Sequence, residues 1–264
     1  MSTNKIKLFI DIDMNELVFV VSNLDEKKFR IIHSVNLSLN GHDKNKITNF
    51  KLVSNIIKQN LYSLEQKFKI TFKEVILLIN NFDCTLCNIS GYKNLNGSQL
   101  SKENVTYILN SLKSKINETI LDKKIIHIFN SKYLLDKKNI NNLPIGLFGN
   151  FYSQELSFFL IDINDYENIR SIFNECNLKI RKIISKNFVE GISLIHTNQN
   201  IETFFTIKIN QENSQIFFFE NSSLKFTQNF NFGTEIIIND ISKVVALEKK
   251  IIKNFFKDFN FSKK

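Results

Sequence analysis

The sequence predicts an α/β protein with two lobes, because the same succession of strands opens the chain and returns near residue 202. Three segments rich in Ile, Val and Phe, joined by short polar turns, lie at residues 5–11, 16–22 and 29–39. Three segments of the same kind lie at residues 202–209, 215–220 and 224–230. Such segments are typical of antiparallel strands joined by hairpin turns, so each lobe is expected to begin with a three-strand meander.

A helix and a buried strand are predicted after the first meander. Apolar residues recur at helical spacing over residues 53–68, which indicates a helix that buries one face. Residues 74–80 contain an uninterrupted apolar run, as in a strand that is covered on both faces. Further along the chain, a helix that Asp165 is predicted to cap, a strand at 179–185 and a helix at 187–195 complete the first lobe.

Residues 83–163 differ in character and are interpreted as an inserted small α+β subdomain. Its first part, residues 91–97, is polar and rich in turn residues, and Ser101 is a suitable N-cap for the helix that follows. Strands are predicted at 124–130 and 152–162. Between them lies a loop at 142–150, which contains the single proline. The predicted domains are 1–82, 83–163, 164–197 and 198–264, and the last of these is the start of the second lobe.

The composition excludes several classes of protein. With 264 residues, 43% of them hydrophobic and 12% aromatic, the chain has enough apolar surface for a folded core. The formal net charge is +9, but Lys is spread over nearly every segment, so no nucleic-acid partner is predicted. Three cysteines imply no disulfide framework and fit a reducing cytosol. The N-terminus has neither a signal-peptide nor an anchor pattern.

The first hairpin turn of each lobe is the predicted place for chemistry. Paired lobes that each begin with a meander are typical of actin and the sugar kinases, where these turns hold nucleotide phosphates and an acid orients magnesium. Asp11 lies where the first such acid is expected, but the turn from Asp13 to Glu16 adds two carboxylates and has no glycine. In the second lobe, residues 207–214 have no glycine and no acid at the strand end, so an ordinary hairpin turn is favoured there.

The middle of the chain resembles a known family. Residues 125–136, IIHIFNSKYLLD, and residues 142–149, NLPIGLFG, are similar in order and spacing to a distinctive passage of the bacterial cell-division protein family FtsA. Weaker similarity covers residues 80–112, 230–236 and 239–241. FtsA proteins are divergent actin relatives that tether the tubulin-like FtsZ filament to the membrane. The resemblance therefore implies an actin-like, ribonuclease H-like first lobe with an inserted subdomain, followed by the start of a second actin-like lobe.

The resemblance also implies particular site residues. A nucleotide site that holds ATP and Mg²⁺ would use Asp11, Asn15, Gly233, Thr234 and Asp240. A loop for protein contacts would use Pro144, Ile145, Gly146 and Gly149. The sequence departs from the family at the phosphate turns, where a glycine is replaced by Asp13, an acid by Lys208 and a glycine triplet by residues 210–212. These replacements weaken the expectation of phosphate binding.

The resemblance implies FtsZ and other division proteins as partners, self-association, and a cytoplasmic location at the inner face of the cell membrane at the division site. Residues 248–264 have an apolar helical stripe surrounded by lysines, which fits either a membrane-surface helix or a core-facing helix. The core-facing helix is favoured, because no flexible linker precedes it. The family's FtsZ-binding subdomain and membrane anchor are not visible, as in a fragment or a naturally shortened copy.

Cys84 and Cys87 form a CxxC pattern, which is found in zinc and redox sites. Both cysteines are expected in or beside a strand, where residues three apart point to opposite faces, so no metal is predicted.

No Ser/His/Asp arrangement or Walker lysine loop is present. The sequence therefore predicts a division scaffold that binds partners and is not an enzyme. The alternatives are an active actin-like ATPase or kinase and a pilus-assembly adaptor of the same fold.

Overall fold

A computed structural model describes residues 6–13, 16–25, 28–38, 42–43, 46–47, 49–80, 82, 84–197 and 201–258. The strands are β1 (Ile6–Ile12), β2 (Glu16–Asp25), β3 (Lys28–Ser38), β4 (His42–Asp43), β5 (Lys46–Ile47), β6 (Glu74–Ile79), β7 (Cys84–Asn94), β8 (Lys123–Leu135), β9 (Lys138–Ile140), β10 (Phe151–Asp162), β11 (Lys179–Ser185), β12 (Phe204–Ile209), β13 (Ser214–Glu220) and β14 (Ser223–Phe230). The helices are α1 (Phe50–Phe68), α2 (Lys102–Thr119), α3 (Ile163–Glu175), α4 (Lys186–Thr197), α5 (Thr234–Val245) and α6 (Lys249–Asp258).

The first lobe is built on a five-stranded sheet in the order β11-β6-β1-β2-β3. The central strand, β1, pairs antiparallel with β2 and parallel with β6, and β11 is parallel to β6. Inward side chains such as Ile10 and Phe19 are fully buried against the apolar faces of α1 and α3. Because β1, β6 and β11 are parallel, their carboxyl ends meet at one edge of the sheet.

The second sheet, in the order β7-β10-β8-β9, forms a layer with α2. The helix begins as predicted at Ser101, whose side chain accepts a hydrogen bond from the Asn104 backbone N–H, while the Asn104 side chain accepts one from the Ser101 N–H. Gly91 of β7 allows a close approach, since a Cβ there would lie 2.5 Å from the Ile108 side chain of α2. The boundaries at 83 and 163 stay a prediction.

The third sheet, in the order β12-β13-β14, begins the second lobe. Phe217, Phe219 and Leu224 of this sheet pack against Phe129 and Phe159 of the second sheet. We call these five buried residues the joint cluster. Lys225, also buried, forms an ion pair with Glu155 of β10 beside it. Apolar side chains and a largely desolvated ion pair therefore hold the third sheet against the second sheet.

Helix α4 lies between the two lobes. Its Phe188 ring is 4.4 Å from the ring of Phe129, centroid to centroid. Its Gly191 is buried, and a Cβ there would lie only 2.1 Å from the ring of Phe219. The absence of a side chain at Gly191 thus lets the helix lie directly on the joint cluster.

The fold is α/β with two meanders, as the sequence predicts, but three details differ. The N-cap of α3 is Asp162, which accepts hydrogen bonds from the backbone of Asn164 and Asp165, whereas Asp165 itself is buried in the first turn. Residues 91–94, predicted as a turn-rich segment, continue β7, because their backbone pairs with β10. The sequence predicts helices from Ile238 onward, but helix α5 begins at Thr234, because its first N–H groups find acceptors in a neighbouring turn.

Candidate functional site

Asp13 and Glu16, on either side of the turn between β1 and β2, face the turn between β12 and β13 across a cleft of about 630 Å³. The described residues that line it come from both lobes: Asp13, Glu16, Asn80, Lys208, Ile209, Asn210, Gln211, Glu212, Asn213, Gln215 and Thr234. The described lining is rich in amides and carboxylates, and Lys208 is the single lysine among these described residues. The structure therefore brings together the two turns that the sequence identified.

On the first-lobe side, two carboxylates share one ammonium group. The Nζ atom of Lys186 lies 2.8 Å from Oδ2 of Asp11 and 3.1 Å from Oδ2 of Asp13. Asn80, at the end of β6, donates from its Nδ2 to both carboxylate oxygens of Asp13, at 3.2 and 3.1 Å. Asp11 lies near the end of β1, and Asp13, Asn80 and Lys186 directly follow β1, β6 and β11, whose carboxyl ends meet at this edge. The topology of the sheet thus places the charges together.

Burial and pairing act in opposite directions on the pKa values here. Burial raises the pKa of the Asp11 carboxyl, against the lowering effect of its hydrogen bond with Lys186. Burial lowers the pKa of Lys186, but the hydrogen bonds to Asp11 and Asp13 outweigh it, so its pKa lies above the usual value. Oδ1 of Asp11 is buried with no hydrogen-bond partner in the described part of the chain. The ammonium group therefore offsets part of the cost of burying this carboxylate.

On the second-lobe side, Lys208 stands where the sequence resemblance implies an acid. The Nζ atom of Lys208 lies 2.5 Å from Oε2 of Glu190 and 2.5 Å from Oδ1 of Asn187. Both acceptors belong to α4, which also carries Lys186 in its first turn. One helix thus contributes a cation to the first lobe and an anion to the second.

The N-terminus of α5 faces the second turn but its N–H groups are already used. The backbone N–H groups of Thr234 and Glu235 donate to the carbonyl oxygens of Asn210 and Gln211, both at 2.9 Å. Gly233 makes this contact possible, because a Cβ there would lie 2.3 Å from the Asn210 oxygen. The glycine is therefore required for the close approach of two backbone segments, and these two N–H groups are directed at protein oxygens.

The residues of the cleft do not fit a phosphate-binding site for ATP and Mg²⁺. Such a site needs free N–H groups or cations for the phosphates and unpaired carboxylates for the metal. In the described part of the cleft, Lys208 is paired with Glu190, Asp11 and Asp13 are paired with Lys186, and Glu212 adds a further negative charge. No group of three or more possible metal ligands occurs among the described His, Cys, Asp and Glu residues.

The residues predicted for the nucleotide site are only partly brought together. Asp11 lies beside the cleft, Thr234 lines it, and Gly233 packs behind the second turn. Asp240 is exposed further along α5 and is not among the lining residues. Asn15 lies outside the described residues. Their assignment to a nucleotide stays a prediction.

The predicted protein-contact loop, between β9 and β10, has a fixed backbone. The N–H of Gly146 donates to the Leu100 oxygen at 2.8 Å, and the N–H of Leu100 donates to the Leu147 oxygen at 2.9 Å. Gly146 has φ +87, a conformation that favours glycine. The N–H groups of Asn150 and Phe151 donate to the Asp136 side chain. The loop is therefore held at both ends by the second sheet and the segment before α2.

This loop presents apolar side chains to solvent. The exposed members are Ile145, Leu147 and Phe148, and Phe148 is 69% exposed. Pro144 is buried, and at Gly149 a Cβ would lie 2.6 Å from the side chain of Leu135. Pro144, Gly146 and Gly149 therefore shape the loop, whereas Ile145 and its neighbours form its outer surface. We call residues 145–148 the apolar loop.

Cys84 and Cys87 both lie in β7, where they point toward different clusters. Cys84 packs against the first-lobe core and the joint cluster, and Cys87 packs against the core beneath α2.

In the tail helix α6, Ile252 is buried while Ile251 and Phe255 are exposed. Of these three apolar residues of the tail helix, Ile252 therefore faces the protein, as the core-facing interpretation predicts, and the other two face solvent. None of the described helices combines the length and apolar character needed to cross a bilayer.

The sequence analysis missed Lys186, Asn80, Asn187 and Glu190. A signal for two of them was present, because Asn80 is the last residue of the predicted buried strand at 74–80 and Lys186 directly follows the predicted strand at 179–185. In a sheet with parallel strands, residues after neighbouring strands meet at one edge, where open α/β sheets form their sites. The pairing of Glu190 with Lys208 depends on how α4 crosses between the lobes, and no local pattern encodes that.

The sequence matches no family description and no curated protein. Solved structures, in contrast, share its fold. The type IV pilus biogenesis complex PilM–PilN matches with a TM-score of 0.60 and 8% identity, over 96% of this chain and 69% of that chain. MreB5 of Spiroplasma citri bound to ADP matches with a TM-score of 0.41 and 9% identity, over 92% and 60%. The protein therefore has an actin-like ATPase fold.

The comparisons correct one prediction. The Ppx/GppA phosphatase of Aquifex aeolicus matches with a TM-score of 0.41 and 9% identity, over 96% of this chain and 61% of that chain. Phosphatases are among the structures that match this chain, and the prediction that the chain is not an enzyme is wrong. The chain spans between six and seven tenths of the length of these three structures.

Proposed function

We propose that the protein is an actin-fold assembly protein of the FtsA type, which takes part in septum assembly by binding protein partners. The proposal combines the sequence resemblance at residues 125–149 with the actin-like fold. Its partners would be FtsZ, other division proteins and further copies of itself, at the inner face of the cell membrane. Membrane contact would use residues 248–264.

The observation that carries the proposal is the apolar loop. Exposing an apolar group to water costs free energy in the isolated protein. That free energy is recovered when a partner covers the group. Phe148 and Leu147 are exposed on a backbone that is already fixed by hydrogen bonds to Leu100 and by the conformation of Gly146. A fixed loop loses little conformational entropy on binding, so its apolar side chains can serve as anchors.

The test is co-sedimentation of the purified chain with FtsZ filaments. We expect the chain to pellet with the filaments, and Leu147→Ser/Phe148→Ser to weaken binding by about tenfold or more, as is usual for central apolar anchors. Leu121→Ser is the matched control, because Leu121 is 76% exposed in a turn outside the loop. Self-association is measured with the same variants by analytical ultracentrifugation.

Two results would contradict this proposal. Pelleting that is equal for the wild type, the loop variant and the Leu121 control would remove the loop from the interface. A wild type that fails to pellet at filament concentrations up to 100 μM, where a contact of about 5.5 kcal/mol is half-saturated, would remove FtsZ as the partner.

A second candidate is an adaptor of the pilus-assembly type. It is favoured by the PilM–PilN complex, whose fold matches over 96% of this chain at a TM-score of 0.60. Under this proposal the chain binds a PilN-type protein instead of FtsZ. Pull-down of both proteins on the immobilised chain separates the candidates, since each predicts capture of one and not the other.

A further inference from the structure

We propose that Lys186 is a built-in cation, which occupies the position next to Asp11 and Asp13 that a bound divalent cation would otherwise take. The basis for this inference is that the paired charges of the cleft do not fit a Mg²⁺–nucleotide. The inference does not depend on which protein partner the chain binds. The proposal concerns how the cleft is held together.

The geometry supports the substitution of a metal by an ammonium group. The Nζ atom of Lys186 contacts one oxygen of each carboxylate, at 2.8 and 3.1 Å, as a bridging cation would. The side chains of Lys186 and Asp11 are only 26% and 14% exposed, so solvent screens the pair weakly. A compact ammonium group on a flexible stem can reach between two carboxylates, and it carries three donors for them.

Removing this lysine would leave a set of oxygen ligands. Asp11 and Asp13 would no longer contact the Lys186 ammonium group, and the Asn80 amide already contacts both oxygens of Asp13. Two further oxygens, Oδ1 of Asp11 and Oδ1 of Asn80, are buried without a hydrogen-bond partner among the described residues. Carboxylate and amide oxygens are the ligands that Mg²⁺ and Mn²⁺ prefer.

A second cation, Lys208, links the other lobe to the same helix. It binds Glu190 and Asn187 of α4, while Lys186 at the start of the same helix binds the first lobe. Each lobe therefore contributes a charged group to α4, and α4 contributes the opposite charge. The two turns are held on either side of the cleft by side chains of the protein itself.

The experiment uses Mn²⁺ alone as the probe, measured by electron paramagnetic resonance and by calorimetric titration. The wild type is expected to show no saturable Mn²⁺ site. Lys186→Met is expected to bind one Mn²⁺ per chain, and Mg²⁺ at ten times its Kd should raise its melting temperature by roughly 3 °C. Lys186→Arg retains a cation and should behave as the wild type does.

Two control variants separate this effect from a general change of charge. Lys179→Met removes an exposed lysine on β11 and should gain no Mn²⁺ site. Lys186→Met/Asp11→Asn removes one carboxylate ligand as well and should lose the site that Lys186→Met gained. If Lys186→Met folds only when Mg²⁺ is present, that dependence shows the same exchange of cations.

Two outcomes would overturn the proposal. One is a wild type that binds Mn²⁺ saturably and loses the site in Asp11→Asn, since the lysine would then not exclude a metal. The other is a folded Lys186→Met that binds no more Mn²⁺ than the wild type. Neither outcome bears on binding to FtsZ or PilN-type proteins, so failure here is distinguishable from failure of the proposed function.

Discussion

The two three-strand meanders have the same topology but different surroundings. In the first lobe, β1 has β2 on one side and the parallel strand β6 on the other, and Phe19 of β2 is fully buried. In the second lobe, β12 pairs with β13 on one side, and no further strand of the described chain lies along its other edge. Phe205 of β12 is 63% exposed, and Ile207 and Ile209 on the same face are exposed with it.

This difference shows that an alternating strand pattern specifies a strand but not the layer that covers it. The first meander is stabilised by α1, α3 and two flanking parallel strands. The second depends on the joint cluster and on α4, which cover one face only. We therefore expect the two lobes to differ in their response to mutation, because local stability follows the amount of buried apolar contact.

The largest expected effect is a truncation in the first meander. Phe19→Ala should lower the free energy of unfolding by about 3–5 kcal/mol, because it removes a fully buried ring and leaves a cavity. Phe205→Ala in the second meander should change it by about 0.5 kcal/mol or less. Urea unfolding followed by circular dichroism measures both, and equal losses would show that the second sheet is as well covered as the first.

A smaller effect is expected where α4 meets the second meander. At an exposed helical position, Gly→Ala stabilises by about 0.5–1 kcal/mol, because glycine is more flexible in the unfolded chain. At Gly191 the sign should reverse to a loss of about 1–3 kcal/mol, since the new Cβ would lie 2.1 Å from the Phe219 ring. Ser193→Ala, at an exposed position of α4, is the control. A stabilised Gly191→Ala would show that the ring can move away.

The smallest effect concerns pH. Burial, and secondarily the charge of Lys182, lowers the pKa of His127 from 6.5 to about 4. The unfolded chain therefore takes up a proton before the folded chain does, so stability is complete above pH 6.5 and is lost as the pH falls toward 4. We expect a loss of about 1–2 kcal/mol, less than the full shift implies, because the ring is partly exposed.

Unfolding midpoints at pH 7 and pH 5 test this expectation. His127 stacks near Phe129 and Phe188, at centroid distances of 4.3 and 5.4 Å, so His127→Phe keeps an aromatic ring at the joint and removes the proton-binding group. The variant should lose the part of the pH dependence that His127 contributes. An identical pH dependence in the variant and the wild type would assign it to other groups.

Much of the fold could be read from the sequence because its signals are local. The helical stripe of α1, the N-cap Ser101 of α2 and the apolar run of β6 each follow from the residues of one segment. The start of α5 could not be read in this way, since its first N–H groups bond to the turn at residues 210–211. The cap of α3 was placed three residues too late, because Asp162 ends β10 and caps the helix at once.

The residues of the candidate site were also predictable only where the signal is local. Asp11 and the two turns were identified from strand ends, and the lack of glycine in the turns was visible in the sequence. The partners of these residues were not, because Lys186 and Asp13 are 173 residues apart in the chain. The prediction that the chain is not an enzyme, which rested on the altered turns and on missing catalytic motifs, is wrong.

By itself, the sequence determined the order of the strands and helices, the repetition of the meander and the lack of glycine in the first hairpin turn of each lobe. These properties depend on the spacing of apolar residues and on turn chemistry, which act over a few residues. Only the tertiary structure decided that α4 pairs its charges with both lobes, and that one meander is enclosed while the other has an open face. Burial and ion pairing are set by neighbours distant in sequence, so they follow from the packing of the whole chain.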